Sequence, residues 1–233
     1  VKDALHSNAA SWRKAKEDLM SLREADPAFN FNFVILDTPA LILPSQGINL
    51  APPHIEPWNN VAKINGEWES PYPDNAYDTL SFVFAWENPS DRYAVVNVES
   101  YLMLNGFCQA WAYGGFYANN IVGLSIDVGL TILEYWNNPP TLPPQQSGAE
   151  QTSVSLEAAS TGLFALGDYE TTGINGLYDV RYDQFVLPPK GVSVFEVGLT
   201  IGHNIFGDGY TSIDFSSGDF EVMCPAVAIA ILT

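Results

Sequence analysis

The sequence predicts an all-β chain: an antiparallel β-sandwich, most simply a jelly roll, with one N-terminal amphipathic helix. Three observations carry that prediction. From Thr79 onward apolar residues recur with period 2, clusters of Gly, Pro, Asn and Asp cut the chain into strand-length runs, and no helical pattern stands between those runs. A sheet with one apolar face must bury it against a second layer, which makes the body a sandwich.

The helix comes first. Over residues 8–25, Trp12, Ala15, Leu19 and Leu22 share one stripe, Arg13 with Glu17 and Lys14 with Asp18 form i,i+4 pairs, and Asp26-Pro27 ends the run. Residues 27–78 then hold 8 of the 16 prolines, at 27, 39, 44, 52, 53, 57, 71 and 73. Phe29, Phe31 and Phe33 alternate with asparagines as a strand would, and the short apolar pieces after them read as one or two strands leading into an extended wrap. The expected organisation is a helical arm over 1–26, a proline-rich wrapping segment over 27–78 and a sandwich body over 79–233, with 27–233 forming one domain.

In the body, residues 121–134 show the pattern most clearly. Val122, Leu124, Ile126, Val128, Leu130 and Ile132 occupy one face, and Gly123, Ser125, Asp127, Gly129 and Thr131 the other. Comparable runs cover 79–87, 93–104, 107–113, 152–166, 177–187, 192–205 and 219–232. Asn105-Gly106 predicts a two-residue hairpin between the second and third of these, because a type I′ turn needs positive φ at both central positions. Trp86 and Trp111, inside strands, are expected in the core.

Charge excludes one class of partner. The chain has 27 acidic and 9 basic residues, for a net charge of -18, and residues 1–26 are neutral, so residues 27–233 carry 22 carboxylates against only Lys63, Arg92, Arg181 and Lys190. Nucleic-acid binding is excluded for want of phosphate-neutralising cations. No apolar run is long enough for a transmembrane helix. Isolated sandwiches usually guard their edge strands with lysine, so edges this poor in lysine are expected to be closed by the wrap or paired with neighbouring copies.

Catalytic signatures are missing: the sequence has no G-x-S-x-G elbow, P-loop, dinucleotide fingerprint or H-E-x-x-H. The three histidines and two cysteines have no zinc-ligand spacing, and Cys108 and Cys224 read as buried thiols ahead of a disulfide. If residues 64–69 are extended, Glu67 and Glu69 share a face opposite Trp68, a pairing that invites a glycosidase reading. Asp208, Asp214 and Asp219 supply oxygen ligands of the kind calcium prefers, although an EF-hand register would place Phe206 and Phe215 at ligand positions. No other cofactor is expected.

Aromatic residues beside amides and carboxylates are the softer clue to binding. Trp58 and Asn59, Trp68 with Tyr72, and Trp136 with Asn137 place flat rings next to hydrogen-bonding groups, a combination suited to sugars and to protein surfaces. Three functions rank in order: a non-enzymatic structural or assembly subunit of coat, shell or surface type; a secreted module binding carbohydrate through those aromatics; and a glycoside hydrolase. The leading reading implies a homo-oligomer. An extracellular, cell-surface or virion location is favoured over the cytoplasm.

Overall fold

A computed structural model describes residues 32–50, 60–71, 76–136 and 143–232, and every regular element among them is a β-strand. The helix expected over 8–25 lies outside these residues. Five short strands come from the proline-rich segment: β1 (Asn32–Leu36), β2 (Leu41–Pro44), β3 (Asn49–Leu50), β4 (Val61–Ala62) and β5 (Ile64–Glu69). Then follow β6 (Ala76–Glu87), β7 (Ala94–Ala112), β8 (Gly115–Tyr135), β9 (Gln145–Ala165), β10 (Asp168–Leu187) and β11 (Val192–Phe206). The chain ends with β12 (Gly209–Phe215), β13 (Glu221–Met223) and β14 (Val227–Leu232).

Two antiparallel sheets result. The eight consecutive strands β5 to β12 give one sheet in the order β5-β12-β7-β10 and another in the order β6-β11-β8-β9. The remaining strands extend them. β12, β13 and β14 follow one another along a single edge of β7, while β10 occupies the whole of the other edge. The core lies between the sheets: Val96, Val98, Leu102, Leu104 and Cys108 of β7 face Phe82 and Phe84 of β6, Phe195 and Val197 of β11, and the apolar face of β8. That β8 face is the set expected from its alternation.

The expected Asn105-Gly106 hairpin does not form. β7 runs through both residues for 19 residues in all, with Asn105 paired to Asn175 on one side and Glu221 on the other. The glycine answers a different need. A Cβ on Gly106 would lie 2.3 Å from Cδ1 of Phe215 and 2.6 Å from the Asp214 carbonyl oxygen, so it marks a close approach within a strand rather than a turn. A second departure is β12, a strand in the stretch that sequence reasoning left between turns.

The edges are closed without lysine. β1 lies outermost beside β14, β2 beside β6 and β3 beside β5, so the segment rich in proline blunts three edges. Where β9 meets β10 the guards are carboxylates: the Glu157 amide donates to Oε2 of Glu170 at 2.7 Å and the Ala159 amide to Oδ2 of Asp168 at 3.0 Å. Both cysteines are free thiols in the core, pushed up to about 12 by burial.

An aromatic row on the open face of the first sheet

Because β7 continues without a turn, its odd-numbered residues keep one direction from Val95 to Trp111 and point away from the core. At its far end this outer face becomes aromatic. Trp111 is paired with Tyr169 of β10 on one side and Tyr210 of β12 on the other, and Tyr210 is paired with Glu69 of β5. Trp111 is 37% exposed and Tyr169 64%, which overturns the expectation that Trp111 is a core residue. The ring centroid of Trp111 is 6.0 Å from that of Tyr169, 5.7 Å from Tyr210 and 6.1 Å from Tyr113.

Polar groups border the rings. One register step along, Thr171, Gln109, Ser212 and Glu67 form the parallel row. Tyr113 donates from its hydroxyl to Oε1 of Glu69 at 3.1 Å. Burial, that bond and the Glu69 charge raise the Tyr113 phenol above its ordinary value; burial and the Glu67 carboxylate raise Tyr210, against a hydrogen bond from Gln109. Both phenols are therefore neutral donors at neutral pH. Gly114 and Gly167 let the two neighbouring connections touch beside Trp111, since a Cβ on Gly114 would meet the Gly167 nitrogen at 2.5 Å.

Beyond the row, the same end carries an apolar tip. Phe116, Tyr117, Leu163, Phe164 and Leu166 are 57%, 79%, 56%, 67% and 87% exposed. Phe164 stacks edge-on against Phe116 at 4.5 Å and has φ of 54°, a conformation costly for a bulky residue. On the outer face of the second sheet, a groove of about 410 Å³ is lined by Tyr77, Ser125, Asp127, Ser155, Glu157 and Thr200 among others.

The sequence-predicted residues fare unevenly. Glu67 and Glu69 do share an exposed face with Trp68 opposite. Trp68 is only 3% exposed, with its ring 3.9 Å from that of His203, so it cannot stack on a ligand. Trp136 is 44% exposed at the end of β8. Trp58, Asn59, Tyr72 and Asn137 lie outside the described residues.

The three aspartates do not converge. Asp208 precedes β12 whereas Asp214 and Asp219 stand at or beyond its other end, about 20 Å away for six extended residues. Oδ1 of Asp214 is already taken by the Ser216 amide at 2.9 Å, the Ser216 hydroxyl at 2.9 Å and the Ser217 amide at 3.0 Å. Among the described residues no three metal-ligating side chains gather, so the trio does not form a calcium site: Asp208 and Asp219 stand in turns, and Asp214, in β12, braces the turn that follows it.

His203 is a core residue. Its Nδ1 is 3.0 Å from Oγ1 of Thr211 and its Nε2 is 3.7 Å from Oδ2 of Asp78, whose other oxygen accepts from the Ser45 hydroxyl and the Gly47 amide. Thr211 is fully buried. The group ties β6 and β11 of one sheet to β12 of the other and offers no accessible nucleophile.

No protein-family model matches this chain, and no curated protein resembles it significantly. Among solved structures, the winged bean acidic lectin complexed with methyl-α-D-galactose is similar at a TM-score of 0.30 and 8% identity, over 88% of this chain and 100% of the lectin. The family 35 carbohydrate-binding module from Clostridium thermocellum gives 0.22 and 11%, over 85% of this chain and 97% of the module. The CBM22-2 xylan-binding domain from Paenibacillus barcinonensis Xyn10C gives 0.25 and 11%, over 86% and 92%. TM-scores this low carry no assignment; the all-β, two-sheet architecture stands on the strand pairing alone.

Proposed function

We propose that this chain is a non-catalytic carbohydrate-binding module, built on a jelly roll and acting outside the cell or at its surface. The observation that carries the reading is the row Tyr169, Trp111, Tyr210 with Tyr113 beside it: four rings on a rigid sheet face, bordered by Gln109, Ser212, Thr171, Glu67 and Glu69. Flat rings take the apolar face of a sugar while amides, hydroxyls and carboxylates bond its rim. The eight-strand order β5-β12-β7-β10 against β6-β11-β8-β9 supports the jelly roll, two Greek keys closing on one core. Glu67 and Glu69 lie side by side on an open sheet, where they bond a rim instead of flanking a bond to be cut.

A glycan array followed by titration of the best ligand tests this. Trp111→Ala should weaken binding by at least about tenfold, as truncating a central aromatic anchor does. No glycan bound, or equal binding by Trp111→Ala, would sink it. The assembly reading keeps one observation in its favour, the apolar tip from Phe116 to Leu166. It requires a homo-oligomer that Leu166→Lys disperses; light scattering that finds a monomer at all concentrations removes it.

A further inference from the structure

The geometry points to a narrower ligand class, an inference that rests on the carbohydrate reading: the aromatic row selects glycans bearing free, protonated amino groups over neutral or acidic ones. The first argument is the sign of the charges around it. Glu67 and Glu69 are exposed on the same face as the rings, Glu69 level with Trp111 across β12 and Glu67 one register step along. Asp168 and Glu170 flank Tyr169 in sequence but lie on the opposite face of β10, where they accept from β9 amides, so the charge facing the rings is that of Glu67 and Glu69.

The second argument is where the described cations are. Arg181 lies twelve residues along β10 from Tyr169, about 40 Å, and is engaged by Asp183 at 2.7 Å. Arg92 and Lys190 belong to the turns at the opposite end of β7, about 60 Å from Trp111, where Lys190 donates to the Pro89 carbonyl. Lys63 precedes β5, about 20 Å from Glu69, and donates to the Gly218 carbonyl. All four lie well beyond a Debye length of about 8 Å at physiological salt. Among the described residues, therefore, no cation offsets the carboxylates that a uronate or sulfated chain would meet at the row.

The third argument is that the rings themselves favour a cation. Indole and phenol faces attract an ammonium through their quadrupole, and Glu67 and Glu69 can accept its hydrogen bonds. A lysine-rich peptide carries the same charge. The observations favour the glycan because the rings lie in a row across neighbouring strands, with centroids 5.7 to 6.0 Å apart, and not in a cage closed around one ammonium.

The test compares four probes on the full chain by calorimetric titration at mildly acidic pH, where sugar amines are protonated: a β-1,4-glucosamine oligomer, its N-acetylated counterpart, an oligogalacturonate and an oligolysine of equal length. The glucosamine oligomer is expected to bind about tenfold more tightly than the N-acetylated one at low salt, with that preference shrinking toward unity at about 1 M salt. In Glu67→Gln/Glu69→Gln the preference should collapse in the same way, while circular dichroism confirms the fold. Equal binding of the two glucosamine-based oligomers, or tighter binding of the galacturonate, overturns the inference and leaves the carbohydrate module standing. Tighter binding of oligolysine than of any glycan overturns it in favour of a cationic peptide. Failure of every glycan to bind overturns the module itself.

Discussion

His203 makes stability depend on pH in a way that can be worked out from its surroundings. Burial lowers its pKa from 6.5 to about 4, and the Asp78 carboxylate, which pulls the other way, recovers only part of that. The folded chain therefore holds a neutral imidazole where the unfolded chain would take up a proton. Between the two values the unfolded state binds more protons, so stability is fully present above 6.5 and is lost as pH falls toward 4. At pH 5 the difference amounts to about 2 kcal/mol, most of it gained between pH 7 and 5. Urea denaturation of the wild type and of His203→Gln at both pH values isolates the term, because carboxylates titrating elsewhere affect both proteins. The wild type should lose about 2 kcal/mol more than the variant over that interval. Parallel losses, or an imidazole NMR titration in the folded protein with its midpoint near the ordinary histidine value, would refute the reasoning.

Three further outcomes follow from the packing. Gly106→Ala should destabilise by about 1–3 kcal/mol in chemical denaturation, since its Cβ lands 2.3 Å from Cδ1 of Phe215 and 2.6 Å from a backbone oxygen; a hairpin at this glycine would instead leave room for the methyl group. Cys108 and Cys224, pushed up to about 12 and fully buried, should ignore a thiol reagent in the native protein and react together on unfolding. Rapid native labelling of either one would contradict their burial. Glu134, at 2% exposure with no hydrogen-bond partner for Oε1 among the described residues, has its carboxyl raised by burial, so Glu134→Gln should stabilise at pH 7 by about 1 kcal/mol, with the gain shrinking near pH 4 where the acid is already protonated.

How much was legible in the sequence depended on whether the signal was local. The faces of β8 could be read directly, because one apolar and one small or polar face over residues 121–134 leave a single arrangement, and β6 and β11 followed by the same rule. β12 was hidden for a converse reason. Its buried positions are Gly209, Thr211, Ile213 and Phe215, and a glycine and a threonine at two of the four disguise a core-facing strand as a loop. The carboxylate guards at β9 were invisible too: nothing in Asp168 or Glu170 alone says that an amide on another strand will reach them.

Trp111, the centre of the candidate site, is misplaced by the parity of one turn. A two-residue hairpin at Asn105-Gly106 pairs Leu104 with Phe107, which puts Phe107, Gln109 and Trp111 on the buried face. A continuous strand keeps Leu104, Cys108, Ala110 and Ala112 inside and sends Phe107, Gln109 and Trp111 out, as their burial confirms. The sequence held the discriminating residue, because a hairpin would have buried Gln109 among apolar neighbours while turning Cys108, Ala110 and Ala112, all small and apolar, toward solvent. A side-chain period of 2 makes register an all-or-none matter. One wrongly placed turn therefore moves Trp111 from the surface to the core, while Tyr169 and Tyr210 fall outside the strand runs the sequence shows. Glu67 and Glu69 escaped because their own short strand contains no turn signal, and they mark the same surface from its other side.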